Sequence, residues 1–153
     1  MTTSNPPAPK HAVPRRMTLL SAAVFGLFAV GIGAFGAHGL EDMLVKMGRT
    51  EVRAAELLTI CETAVRYHFF HTLVLLAIVA MPPSLGRLKI VSWLFALGIL
   101  LFSGSLYLLV LTDVRWLGAI TPLGGTLWLV AWGMLGYTAI VPPSVSQTNQ
   151  ANT

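Results

Sequence analysis

His68 and His71 stand three residues apart in RYHFFHTLVLL, Arg66 to Leu76, and Cys61 lies seven residues before His68. Two imidazoles at i, i+3 share a helix face and could offer two metal ligands or a proton-exchanging pair. Zinc normally takes three or four protein ligands, however, and seven residues of helix put Cys61 about 10 Å from His68 along the axis. A haem would need an axial histidine here and a second ligand from another helix, with His38 the candidate. The residues favour a structural or proton-exchanging histidine pair, with no metal and no cofactor.

Other reactive patterns lack their setting. Ser103-Gly104-Ser105 has no strand-turn-helix context for a nucleophile elbow. GIGAFGAHG follows no strand, so its glycines suit packing rather than phosphate binding. Asp113 and Arg115 read as a solvated loop pair. These patterns assemble no catalytic set, and the expectation is a protein that is not an enzyme.

The elements that hold these residues follow from composition. The chain has 153 residues, 55% hydrophobic and 10% charged, with a mean hydropathy of +0.73, whereas soluble domains carry about 25% charged residues. Four runs, Met17 to Ala37, Cys61 to Met81, Ile90 to Leu111 and Pro122 to Val141, are each long enough to cross about 30 Å of hydrocarbon as a helix. The expected fold is an all-α integral membrane protein: four transmembrane helices in a compact bundle, with an amphipathic helical segment, Leu40 to Ile60, between the first and second spans. The second half of that segment should run unbroken into the second span. The first run exceeds a signal-peptide core and precedes three more spans, so it is expected to be retained. Residues 1–16 and 142–153 read as disordered tails around a 17–141 domain. Thr121 before Pro122 has the form of an N-cap and first helical residue.

The net charge of +4 and pI of 9.7 do not indicate nucleic acid, because the basic residues are dispersed at helix ends. The partner is the lipid bilayer, with a homo-oligomer or a membrane-protein partner left open. Lys10, Arg15, Arg16, Arg87 and Lys89 share one side of a four-span topology. Lys46, Arg49, Arg53, Arg66 and Arg115 lie toward the other, mixed with Glu41, Asp42, Glu51, Glu56, Glu62 and Asp113. This predicts that both termini lie in the cytoplasm.

Counting from Pro82 at 1.5 Å per residue places His71 about 16 Å, His68 about 21 Å, Arg66 about 24 Å and Glu62 about 30 Å from that edge. Angular position separates them further. Ala64, His68, His71 and Leu75 share a face that should turn inward, with the histidines neutral or hydrogen-bonded. Glu62 and Arg66 project to the opposite face, where they are expected to pair. Ser103 and Ser105 are the expected partners of the histidines, with Tyr107 and His38 nearer the outer edge.

Without a hydrophobic drive between helices in lipid, small residues should mark the contacts. Ala22, Gly26, Ala29, Gly33, Gly36 and Ala37 form one arc on the first span. Gly118, Thr121, Gly125, Trp132 and Gly136 form another on the fourth. Trp93 and Trp116 fit interfacial anchors, whereas Trp128 and Trp132 lie deeper and need partners for their indole N–H groups.

GAFGAHGL (Gly33 to Leu40), YHFFHT (Tyr67 to Thr72) and the stretch from Leu101 to Leu135, with its LFSGSLY and TPLGG, resemble the YgdD-like family of small inner-membrane proteins, relatives of eukaryotic transmembrane protein 256. The resemblance spans about Met17 to Val141 and implies a multi-span membrane helical protein without an established activity. Its pattern matches Gly33 to His38; Tyr67, Phe70, His71 and Thr72; Ser103 to Tyr107; and Thr121, Pro122, Gly124 and Gly125, while His68 falls at a variable position. The candidate intramembrane polar site is therefore His38, Tyr67, His71, Ser103, Ser105, Tyr107 and Thr121. Gly26, Gly33, Gly36, Gly104, Gly124 and Gly125 are the expected packing glycines. The expected role is a scaffold, assembly or envelope-maintenance factor. The alternatives are a small transporter or channel with a His/Ser/Tyr path and, after it, haem or metal binding.

Overall fold

Hydrocarbon offers no partner for backbone N–H and C=O groups, so apolar runs of this length satisfy them internally as helices. The computed structural model describes residues 12–82 and 87–141. The expected tails outside these limits, and residues 83–86 of the second connection, lie outside the described residues. Helices α1 (Ala12–His38), α2 (Leu40–Lys46), α3 (Glu51–Ala80), α4 (Leu88–Thr112) and α5 (Thr121–Ile140) follow in order, with a 3₁₀ turn, Arg115–Ala119, before α5. Four of these segments are long and apolar enough to span a membrane. Helix α1 begins five residues before the expected span, with Pro14 in its first turn, where a missing N–H costs no helix bond.

Helix α3 has 30 residues, about 45 Å of rise, which is more than a 30 Å hydrocarbon layer requires. The Thr50 hydroxyl caps it by accepting from Arg53 N at 3.2 Å. Its buried residues are Ala54, Leu57, Cys61, Ala64, His68, His71, Thr72, Leu75 and Ile78. All but Thr72 alternate in steps of three and four, the spacing of a single seam.

The spans pack in the order α1, α3, α4, α5, with α1 touching α4 only lightly. On α1, Ala22 and Ala29 are buried, and Gly26, Gly33 and Gly36 meet α3. A Cβ on Gly26 would lie 3.6 Å from Thr72 Cγ2, on Gly33 3.1 Å from Val65 Cγ1, and on Gly36 3.8 Å from Cys61 Sγ. Between α4 and α5 the approach is closer. A Cβ on Gly124 would lie 2.5 Å from Phe102 N and 2.9 Å from Gly98 O, and a Cβ on Gly98 would collide with the Trp128 indole.

Two expectations about glycine are corrected. Gly104 has open space where a Cβ would project, so it does not join helices within this chain. The α5 seam is also rotated by one residue from the expected arc. Gly136 meets nothing and Gly125 reaches only Phe102 Cδ2 at 4.0 Å, while Trp128, Ala131 and Thr138 are buried and Gly124 makes the close approach. Helix α5 carries glycines on several sides, so residue size alone does not mark the side that meets α4.

The core has two apolar parts. Ala22, Leu75, Ile78, Val91, Phe95, Ile99, Trp128 and Ala131 pack toward the side of the chain termini. Leu40 and Leu44 of α2 cover the other end, with Ala54, Leu57, Cys61, Leu109 and Val110. Between these parts lie the buried polar residues His68, His71, Thr72, Ser103 and Ser105.

Candidate functional site

His71 occupies the centre of an aromatic stack. Its ring lies on Trp128 with centroids 3.6 Å apart and planes 5° from parallel. Phe95 approaches at 5.8 Å, and Tyr67 stacks on Trp128 at 5.9 Å. The Trp128 indole N–H donates to Phe95 O at 3.2 Å, the partner that its depth requires. His71 Nδ1 lies 2.8 Å from Tyr67 O, one turn earlier. A carbonyl can only accept, so Nδ1 carries the proton there.

His68 is also buried. Its Nδ1 lies 3.1 Å from the Tyr107 hydroxyl, and Phe25 meets the ring edge-on at 5.6 Å. Its Nε2 is buried without a hydrogen-bond partner among the described residues. The expected pairing of His68 or His71 with Ser103 and Ser105 is not what forms. Ser103 donates to Ala64 O at 2.9 Å, joining α4 to α3. Ser105 donates to Phe102 O at 3.0 Å and meets the Thr121 hydroxyl at 3.2 Å, joining α4 to α5. Thr121 is the first residue of α5, with Ile120 before it as the cap and no side-chain cap bond, so its hydroxyl serves the neighbouring helix.

His38 is exposed at the end of α1. Gly26 is level with Thr72, and twelve residues of helix carry His38 about 18 Å along the axis from that level. It does not join His71. Among the described residues, no three His, Cys, Asp or Glu side chains are grouped to hold a metal ion.

The charged residues depart from expectation as well. Glu62 and Arg66 are exposed but form no ion pair with each other. Asp113 is not the partner of Arg115: Arg53 Nη2 reaches its Oδ1 at 2.6 Å, and Arg49 Nε lies 3.4 Å from its Oδ2. Arg53 also holds Glu56 at 2.7 Å. Asp113 terminates α4 with φ 59°, a left-handed conformation that aspartate and asparagine tolerate better than most residues. The hydrogen bond from Arg53 holds its carboxyl below the usual carboxylate range. This clamp joins residues 60 apart, and sequence offered only unlike charges in two loops facing the same side.

Four apolar spans, with buried polar side chains bonded locally or across helix seams, define an integral membrane protein of the helical-bundle class. Residues 32–125 match the family described as "Protein of unknown function (DUF423)". The chain belongs to this family. It is 43% identical over 121 residues to UPF0382 membrane protein SSP2132 of Staphylococcus saprophyticus, covering 78% of this chain and 93% of that one. It is 38% identical over 128 residues to UPF0382 membrane protein YwdK of Bacillus subtilis, covering 82% and 97%. A UPF0382 membrane protein of Haemophilus influenzae is 40% identical over 122 residues, covering 78% and 90%. No solved structure matches the chain.

Proposed function

We propose that the protein is a non-enzymatic scaffold or assembly factor of the inner membrane, with both termini in the cytoplasm. The supporting observation is how the polar layer is used. Ser103 bonds to Ala64 O, Ser105 to Thr121, Tyr107 to His68, and His71 to Tyr67 O. None of these bonds links one set to the next, so the layer holds α3, α4 and α5 together rather than forming a continuous path for a proton or solute. The YgdD-like likeness of GAFGAHGL and LFSGSLY is read as kinship within the same membrane family and supports the inner-membrane assignment.

The test is complementation of a deletion strain by a His71→Ala, Tyr107→Phe double variant, coupled to crosslinking and affinity purification from native membranes. The scaffold reading expects near wild-type complementation at normal protein abundance and a recurring membrane-protein partner. Complete loss of function from a variant that still accumulates and folds would overturn it. Reporter fusions at each terminus test the orientation: activity only from reporters that work in the cytoplasm is expected, and a terminus outside would refute it.

A further inference from the structure

A groove on the side of the chain termini takes no part in the polar layer. Helices α1 and α4 both lean on α3 but touch each other lightly, and between them opens a groove of ≈ 250 Å³. Leu75 of α3 contributes to it, Met17 and Ser21 line it from α1, and Lys89, Trp93 and Ala96 line it from α4. Ser92, also in the lining, uses its hydroxyl on Leu88 O at 2.8 Å. The groove surface is therefore mostly apolar, with a cation in the first turn of α4. Trp93 is 67% exposed beside it, as expected of an aromatic residue at headgroup level.

Among the described residues, the charged side chains on this side have one sign. Arg15, Arg16, Arg87 and Lys89 belong to it, and all six acidic side chains of the chain lie from Glu41 to Asp113, toward the opposite side. Arg87 is committed to the Tyr137 ring, 4.7 Å from its centroid. Lys89 forms no ion pair among the described residues, and Arg15 and Arg16 stand within one turn of Met17. An apolar groove facing lipid chains, with cations at headgroup depth and no acidic side chain beside them among the described residues, is complementary to a lipid that is itself apolar below and negative above.

We propose that this groove seats an acyl chain of an anionic phospholipid, whose phosphate is held by Lys89 with Arg15 and Arg16. The apolar walls accept the chain of any phospholipid, so the preference for an anionic one comes from the cations.

The test uses the full-length protein in nanodiscs of phosphatidylcholine containing phosphatidylglycerol, with the lipids that remain bound after extraction measured by native mass spectrometry. Phosphatidylglycerol should be retained in preference to phosphatidylcholine. Lys89→Gln should reduce that retention about fivefold, the scale of one interfacial cation, and Lys46→Gln on the opposite side should leave it unchanged. Ala96→Phe, which fills the groove, should lower retention of both lipids. Equal retention of the two lipids by the wild-type protein would overturn the proposal, as would wild-type retention by Lys89→Gln or an equal loss from Lys46→Gln. Lys89 is exposed, so its variant decides the question even where Ala96→Phe fails to fold.

Discussion

The ring of His71 lies flat on the indole of Trp128, 3.6 Å between centroids, and the same indole donates to Phe95 O. One side chain of α5 thus reaches α3 with its face and α4 with its N–H group. Trp128→Phe retains an aromatic face and loses the hydrogen bond, at an expected cost of about 1 kcal/mol. Trp128→Ala also loses the stack and leaves a cavity, at about 3–5 kcal/mol. Unfolding in mixed micelles should place the variants in that order; equal costs would refute the division of roles.

Gly124 and Gly104 should respond oppositely to the same change. An added methyl on Gly124 meets backbone atoms of α4, which cannot move aside like a flexible side chain, so Gly124→Ala should cost about 1–3 kcal/mol. Gly104→Ala projects into open space and should be neutral or stabilising by up to about 1 kcal/mol through helix propensity. Thermal melting in detergent compares them directly.

His68 and Tyr107 should be coupled. Tyr107→Phe removes the hydroxyl from His68 Nδ1, while Nε2 of the same ring is already without a partner among the described residues. The single variant should lose about 1 kcal/mol, and adding His68→Leu should recover part of that loss because the stranded ring is replaced by an apolar group. A double-mutant cycle with additive effects would show that the bond contributes nothing.

Asp113 should make stability sensitive to acid. Its native carboxyl is more acidic than in the unfolded chain because Arg53 bonds it, with the charges of Arg49 and Arg115 adding to the effect. The stabilisation is complete above the unfolded value of about 3.9 and is lost as pH falls through the lower folded value. Asp113→Asn keeps a residue suited to φ 59° while removing the charge. It should be less stable than wild type at neutral pH and show a smaller loss between neutral pH and pH 3. Added salt should narrow the neutral-pH difference, since the clamp is partly exposed.

The sequence by itself determined the membrane, the four helices and the inward face of α3. Length and apolar composition decide whether a segment can span lipid, and the steps of three and four through Ala64, His68, His71 and Leu75 fix one helical face; both are local properties. The structure buries His71 on that face with Ala64, His68 and Leu75. Tertiary structure decided which side of α5 turns inward, because lipid is as apolar as the bundle interior and hydrophobicity no longer distinguishes them. Gly98, overlooked in the sequence, and Gly124 became the contact through the fit of the Trp128 ring and the α4 backbone. Tertiary structure also chose the hydrogen-bond partners. Ser103 had several acceptors at similar depth, and Asp113 had a cation two residues away, yet helix rotation and approach gave Ser103 the carbonyl of Ala64 and gave Asp113 the guanidinium of Arg53. Hydrogen bonds and short ion pairs depend on ångström-scale positions across helices, and spacing along a single helix does not contain them.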